Sequence, residues 1–300
     1  MKNLIAILCV AVVLAGCAGN TAEKNESSSS ATLTASKNDS TSKNDLTVSD
    51  NKPVSGPVAD AATILSRPQV PVLCYHHIVA GKPKNAYEVS IDNFKSQMKA
   101  LADSGYHTIL PDQYYNYLVH GTALPPKPVM LTYDDTDEEQ FSIAKPEMDK
   151  YGFKGVYFIM TISIGRPRYM SKEQIKQLAD EGHSIGSHTW RHDRVDRLKD
   201  LNTIEYRGKK IEVNEWDFQL LNTKKQLEEM TGKPVEHFAY PFGIWSKQAL
   251  PKIQERGYKL AFQLSEKRDP DMPLYTVRRI IVAPGWSGEG MLKAMKSSFK

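Results

Sequence analysis

Two carboxylates and two imidazoles hold most of the chemistry that this sequence offers. The apolar run Pro128-Val129-Met130-Leu131-Thr132-Tyr133 follows a Pro-rich turn and leads straight into Asp134 and Asp135. Such a run reads as a buried strand. Adjacent residues past a strand end point in different directions, so one carboxylate can hold a cation while its neighbour takes a proton. Taken alone, an acidic pair before a helix is more simply an N-cap. His188-Thr189-Trp190-Arg191-His192 shifts that balance, because imidazoles four residues apart reach one side of a helical turn. Surface histidines produce the same spacing by chance. Together with Asp135, however, they make one carboxylate and two imidazoles, a set that leaves positions for water and substrate on a divalent cation such as zinc. A cation of that kind lowers the pKa of water and polarises a carbonyl, which makes hydrolysis the natural reaction class.

These groups must be positioned by the elements around them. From Pro68 onward, short apolar runs alternate with helical patterns. Strands are expected at 70–75, 106–110, 128–133, 155–160, 183–187, 237–240, 258–264 and 275–282. Helices are expected at 90–105, 111–119, 140–150 with a break near Pro146, 171–182, 218–230, 247–256 and 290–298. Between Asp193 and Trp216 the period fails, so an inserted loop or small excursion is expected there. Strands separated by helices imply parallel pairing with right-handed crossovers. Seven or eight such units predict an α/β fold, a closed or nearly closed barrel whose reacting groups sit where strands end. Tyr75-His76, Tyr133-Asp134-Asp135, Ser187-His188 and Tyr240-Pro241-Phe242 all fall at such ends.

With 300 residues, 40% of them hydrophobic, the chain can bury one sizeable core or at most two. The charged start Met1-Lys2-Asn3 and the apolar stretch after it predict a signal peptide over 1–16, too short for an ordinary spanning helix. Leu14-Ala15-Gly16-Cys17 resembles a bacterial lipobox, which makes Cys17 the expected lipidation site of an extracytoplasmic, envelope-anchored lipoprotein that meets the membrane through its lipid alone. Residues 17–66 are dominated by Ser, Thr, Asn, Lys and Asp and read as a flexible linker, leaving 67–300 as a single folded domain. Cys9 would leave with the signal. Cys74 is then the only thiol of the folded part, in an apolar strand, so no disulfide framework is expected and the thiol reads as core. The net charge is +4, but no basic stripe interleaves with aromatics, which argues against a nucleic-acid partner; a monomer is expected.

Thr132-Tyr133-Asp134-Asp135, His188-Thr189-x-x-His192 and Ala239-Tyr240-Pro241-Phe242-Gly243, in that order, resemble the motif set of polysaccharide deacetylases, the NodB-homology or carbohydrate esterase family 4 group. The resemblance spans about 70–283. It implies a distorted (β/α) barrel of seven or eight units that removes N-acetyl, sometimes O-acetyl, groups from sugar polymers with a divalent metal, zinc first and cobalt or nickel as alternatives. By position, Asp134 would be the general base and Asp135, His188 and His192 the metal ligands. The backbone N–H of Phe242 would help bind the oxyanion, with Tyr240 and Pro241 in the same turn.

Two departures stand out. The family usually has an Arg pairing with the base where this chain has Ala239, and it usually supplies a late His as acid, whereas no His follows His237. Amide hydrolysis must still protonate its amine leaving group. Tyr75-His76-His77 ends the first strand, and a barrel rim is circular. This arrangement resembles the poly-β-1,6-N-acetylglucosamine deacetylases of biofilm systems, with the acid motif moved to the front. His76 is therefore the expected acid and His77 the weaker candidate, against the plainer reading of a His that caps its strand. Arg278 or Arg279 could reach Asp134 in place of the missing Arg, or form a solvated pair. Trp190, Trp245 and Trp286 suit sugar stacking and packing equally. Asp137, Glu138 and Glu139 most simply favour a helix N-terminus.

The expected function is removal of N-acetyl groups from an extracytoplasmic N-acetylglucosamine polymer. Its rivals are a peptidoglycan deacetylase, an O-acetyl-xylan-type esterase, and a catalytically impaired carbohydrate-binding lipoprotein. The two departures favour the last; intact Asp134, Asp135, His188 and His192 oppose it.

Overall fold

The computed structural model describes residues 57–299; the expected signal peptide, Cys17 and most of the linker lie outside the described residues. Val72–Tyr75 (β1) is buried along its whole length, as a strand covered on both faces must be. The same holds for most of Pro128–Tyr133 (β2) and all of Val156–Ile159 (β3). Ser184–Ser187 (β4), His237–Ala239 (β5) and Leu260–Gln263 (β6) follow. All six pair in parallel in the order of the chain. One further extended segment, β7, is made of Val277–Arg278 and Ile280–Ile281. Its first half pairs with β6 and its second half with β1, so a single segment bonds to both ends of the sheet. Between the halves, the Arg279 N–H donates to the Gln263 carbonyl at 3.0 Å. The result is a nearly closed, distorted (β/α) barrel, as expected.

Side chains alternate across these strands. β3 sends Val156 and Phe158 into one cluster with Val72, Met130, Ala239 and Phe262, and Tyr157 and Ile159 into another beneath the helices. At level register, Tyr75, Tyr133 and Tyr157 stack in a row, with ring centroids 5.4 and 4.9 Å apart. The helices cover this layer with the faces their spacing predicts. In Ile91–Asp103, Phe94, Met98 and Leu101 are buried and Ser90 caps the first turn. Lys172–Asp180 begins with the expected capping box of Ser171 and Gln174.

Four expectations need correction. The helix over 140–150 opens as a π-helical turn, Gln140–Ala144, before Lys145–Asp149. The Lys145 N–H reaches back to the Gln140 carbonyl, and Pro146 enters where the widened turn asks no donor of it. The 106–110 run contributes only the two-residue strand His107–Thr108, beside β2. The excursion over 193–216 holds an antiparallel hairpin, Asn202–Tyr206 with Lys209–Val213, turned by Arg207 and Gly208, both at positive φ. Finally, residues within the expected linker belong to the folded body. Ala61–Ser66 is a helix capped by Asp60, with Ile64 buried and the Ala59 N–H bonded to the Val119 carbonyl. A one-turn contact needs only one apolar side chain, too little to stand out in a polar stretch. Among the described residues, no helix is long and apolar enough to cross a membrane.

Candidate metal centre and active site

Strand alternation builds the site. Residues 72, 74 and 76 share one side of the β1 line, as do 130, 132 and 134 on that of β2 and 277 and 279 on β7. Val72, Met130 and Val277 pack into one cluster. Cys74, His76, Thr132, Asp134 and Arg279 continue the same columns towards the strand ends and meet there, all buried.

Asp135 and Thr136 follow with φ of 75° and 74°, a left-handed pair that turns the second carboxylate away from the first. Asp135 Oδ1 lies 3.4 Å from His188 Nε2 and 3.4 Å from His192 Nε2. That oxygen is buried and forms no hydrogen bond. Three ligand atoms facing one another around an unsatisfied carboxylate oxygen are what a divalent cation completes, so the residues fit the metal that the sequence led us to expect. His188 Nδ1 contacts the Ala239 carbonyl at 2.8 Å, which as donor leaves Nε2 free as a ligand. Burial works against a charged His188, but Asp134 and Asp135 outweigh it and hold the imidazole above its ordinary value. Burial and His188 push His192 down to about 4, leaving a neutral imidazole. Asp135 and His192 are part-exposed, whereas Asp134 and His188 are buried, so the cluster opens to solvent on one side.

Asp134 is gripped by Arg279, with Nη1 to Oδ1 at 2.7 Å and Nη2 to Oδ2 at 2.8 Å. Burial alone would raise this carboxyl; the guanidinium prevails and holds it well below the usual carboxylate range. The partner missing at position 239 thus arrives from β7. Arg278 is not a base partner: it points the opposite way, to the Ser298 carbonyl and over the Phe299 ring. His76 Nε2 is 4.0 Å from Asp134 Oδ2, and its ring meets the Tyr87 ring edge-on at 5.1 Å between centroids. Burial lowers the His76 pKa, against the pull of the two aspartates. Cys74 Sγ lies 3.6 Å from Asp134 Oδ2, and burial pushes its thiol well above the ordinary value, consistent with a core residue and not a nucleophile.

His77 is placed elsewhere. Its Nδ1 lies 2.8 Å from Asp137 Oδ2 and 3.7 Å from Glu139 Oε1, and hydrogen bonds to these carboxylates raise its pKa to about 10. Asp137 and Glu139 therefore add a tertiary contact to His77 at the start of the helical segment, where Glu139 is the N-cap residue before Gln140. Glu138 likewise accepts from Gln174 and Ser142.

Phe242 sits at φ 61° with its side chain exposed, its ring centroid 4.4 Å from that of His192. Pro241 is buried, and the Tyr240 hydroxyl donates to the Tyr275 carbonyl, so those two shape the turn. Trp190 packs on Tyr206 and Phe218, Trp286 against the main core and Trp245 against the β5–β6 side, all as packing residues. Two residues that the sequence did not single out belong to the site. Gln140 Nε2 donates to the carbonyls of both His76 and Asp134, tying two strand ends together. Tyr87 stands half-exposed beside His76.

Comparison with known proteins adds to this geometry. The family model described as "Polysaccharide deacetylase" matches residues 121–261. The protein named "Putative polysaccharide deacetylase YxkH" of Bacillus subtilis (strain 168) is 29% identical over 221 residues, 73% of this chain and 74% of that one. The "Poly-beta-1,6-N-acetyl-D-glucosamine N-deacetylase" of Staphylococcus aureus (strain MRSA252) is 26% identical over 204 residues, 66% of this chain and 68% of that one. Among solved structures, Streptococcus pyogenes deacetylase PplD in complex with acetate has a TM-score of 0.67 at 24% identity, over 76% of this chain and 99% of that one. IcaB from Ammonifex degensii has a TM-score of 0.57 at 24% identity, over 78% and 98% respectively. Both share the fold.

Proposed function

This chain carries a polysaccharide deacetylase domain, and on that premise we propose that it is a metal-dependent N-deacetylase of an extracytoplasmic polymer containing N-acetylglucosamine. The observation that supports it best is the unsatisfied Asp135 oxygen between His188 and His192, with Asp134 alongside. A divalent cation held by Asp135, His188 and His192 supplies Lewis acidity towards water and the acetyl carbonyl. Zinc suits this donor set, with cobalt or nickel as alternatives.

Asp134 is the general base. Arg279 keeps it ionised and fixes the carboxylate plane, and its Oδ2 accepts the proton of the attacking water. His76, low in pKa and close to that oxygen, is neutral until it receives a proton and then passes it to the departing amine. In this reading the Phe242 peptide N–H is the donor to the developing oxyanion, and the exposed rings of Tyr87 and Phe242 border the sugar. The products are acetate and an amino sugar.

The staphylococcal relative's name and the early position of His76 favour a β-1,6-linked polymer over cell-wall glycan or acetylated xylan. The grip of Arg279 on Asp134 and the nearness of His76 to the same carboxylate support catalysis over passive binding. Anchoring through Cys17 and monomeric action complete the reading. The test is acetate release from the β-1,6 polymer, cell-wall glycan and acetylated xylan, with metal content measured on the same protein. Fastest turnover of the β-1,6 polymer by metal-loaded protein supports the assignment. No acetate from any of the three removes it.

A further inference from the structure

The excursion after His192 folds back beside the candidate centre and walls a cavity of about 470 Å³, within the range of small-ligand sites. His192 and Phe242 form its wall towards the metal triad, so the cavity adjoins the reacting groups. Its charge is unbalanced. The Asp193 carboxylate accepts from Arg191 Nε at 2.7 Å and Gln219 Nε2 at 2.6 Å. Buried Glu215 accepts from the Lys199 N–H at 2.9 Å and from Asn202 Nδ2 at 2.8 Å. Arg194 is held by Asp196, outside the lining. Arg197 and Lys199 also line the cavity, and among the described residues neither has a carboxylate within ion-pair distance.

Arg197 and Lys199 outweigh the one lining carboxylate that no side-chain cation pairs, Glu215, so the recess stays net positive beside the candidate centre, the arrangement that an anionic ligand completes. We propose that this cavity is a subsite for an anionic group, a carboxylate or a phosphate, carried by the polymer close to the acetamide being cleaved. The proposal rests on the deacetylase reading and refines its substrate class. Each cleavage leaves a cationic amine, which Arg197 and Lys199 repel, so acetylated or acidic stretches are held in preference to product.

The test uses matched β-1,6-linked N-acetylglucosamine oligomers with the metal-loaded protein: one neutral, one bearing a carboxylate substituent and one bearing a phosphate ester. An anionic oligomer should show kcat/KM about tenfold above the neutral one at low ionic strength, a gain that shrinks as salt rises. The larger gain identifies which anion the site takes. The paired substitution Arg197→Glu and Lys199→Glu should erase the preference while turnover of the neutral oligomer stays unchanged. Should that variant not fold, Arg197→Gln and Lys199→Gln singly should each reduce it. Equal kcat/KM for all three oligomers in the native protein, or a preference that survives substitution, overturns the subsite. If no oligomer is turned over, the deacetylase reading fails by itself. Calorimetric binding then decides the subsite: tighter binding of an anionic oligomer, lost in the variants, sustains it, and equal binding overturns it.

Discussion

Arg279, from the segment that closes the barrel, holds both oxygens of Asp134 at 2.7 and 2.8 Å, with neither side chain open to solvent. Removing one partner of such a pair leaves an uncompensated buried charge, at a cost of about 3–5 kcal/mol. Arg279→Met should therefore lower the unfolding free energy, read from urea denaturation, by that order and abolish turnover. Adding Asp134→Asn to it should restore much of the stability and none of the activity. Arg279→Lys should fold but turn over slowly, since a point charge cannot match both oxygens. An Arg279→Met protein as stable as the native one would refute the pairing's role.

That pairing also marks where the sequence stopped being legible. Central strands and the rim were readable because buried parallel strands appear as unbroken apolar runs with polar residues just beyond them. The choice between Arg278 and Arg279 was not. In Val277-Arg278-Arg279-Ile280-Ile281 the apolar positions break alternation, because the segment serves two neighbours in two halves, and so the inward side cannot be assigned. Gln140 gave no signal because a π-helical turn, not its neighbours in sequence, aims it at the His76 and Asp134 carbonyls. The hairpin over 202–213 hid for the opposite reason: only Ile204 is buried, so neither strand shows a hydrophobic face.

Asp134→Asn separates proton transfer from cation binding. The variant should keep its metal stoichiometry and lose acetate release by about 10²–10⁴-fold. Asp135→Ala and His192→Ala should instead lose the metal. Chelation of the native protein should stop turnover, and added divalent cation should restore it. Native-like rates from Asp134→Asn, or from protein stripped of metal, would sink the assigned roles.

His76 and His77 are adjacent in sequence yet should respond differently. His76→Gln removes the proton donor and should lower kcat by about 10²–10⁴-fold with little change in KM. His77→Gln should act on stability instead. Bonds to Asp137 and Glu139 raise the His77 pKa from 6.5 to about 10. A raised folded-state value means that its stabilisation is complete below about 6.5 and is lost as pH climbs through about 10. The stability gap between native protein and His77→Gln should close over that interval. A large kcat loss in His77→Gln with His76→Gln unaffected would exchange their roles.

His183 offers the reverse dependence, far from the chemistry. It is buried, its Nδ1 accepts the Gly155 N–H at 3.0 Å, and its ring packs edge-on against Tyr157. Burial, then Lys154, lowers its pKa from 6.5 to about 4. The unfolded chain binds the proton first, so this imidazole's stabilisation is full above about 6.5 and is lost as pH falls towards 4. One proton limits the slope to about 1.4 kcal/mol per pH unit. His183→Gln keeps an acceptor for Gly155 but cannot titrate. Groups common to both proteins cancel in the comparison. The stability difference between native protein and variant, measured by urea unfolding from pH 7 to 4, should drift against the native protein as acid is added. A difference that stays flat across that range would mean that the folded protein does not hold His183 neutral.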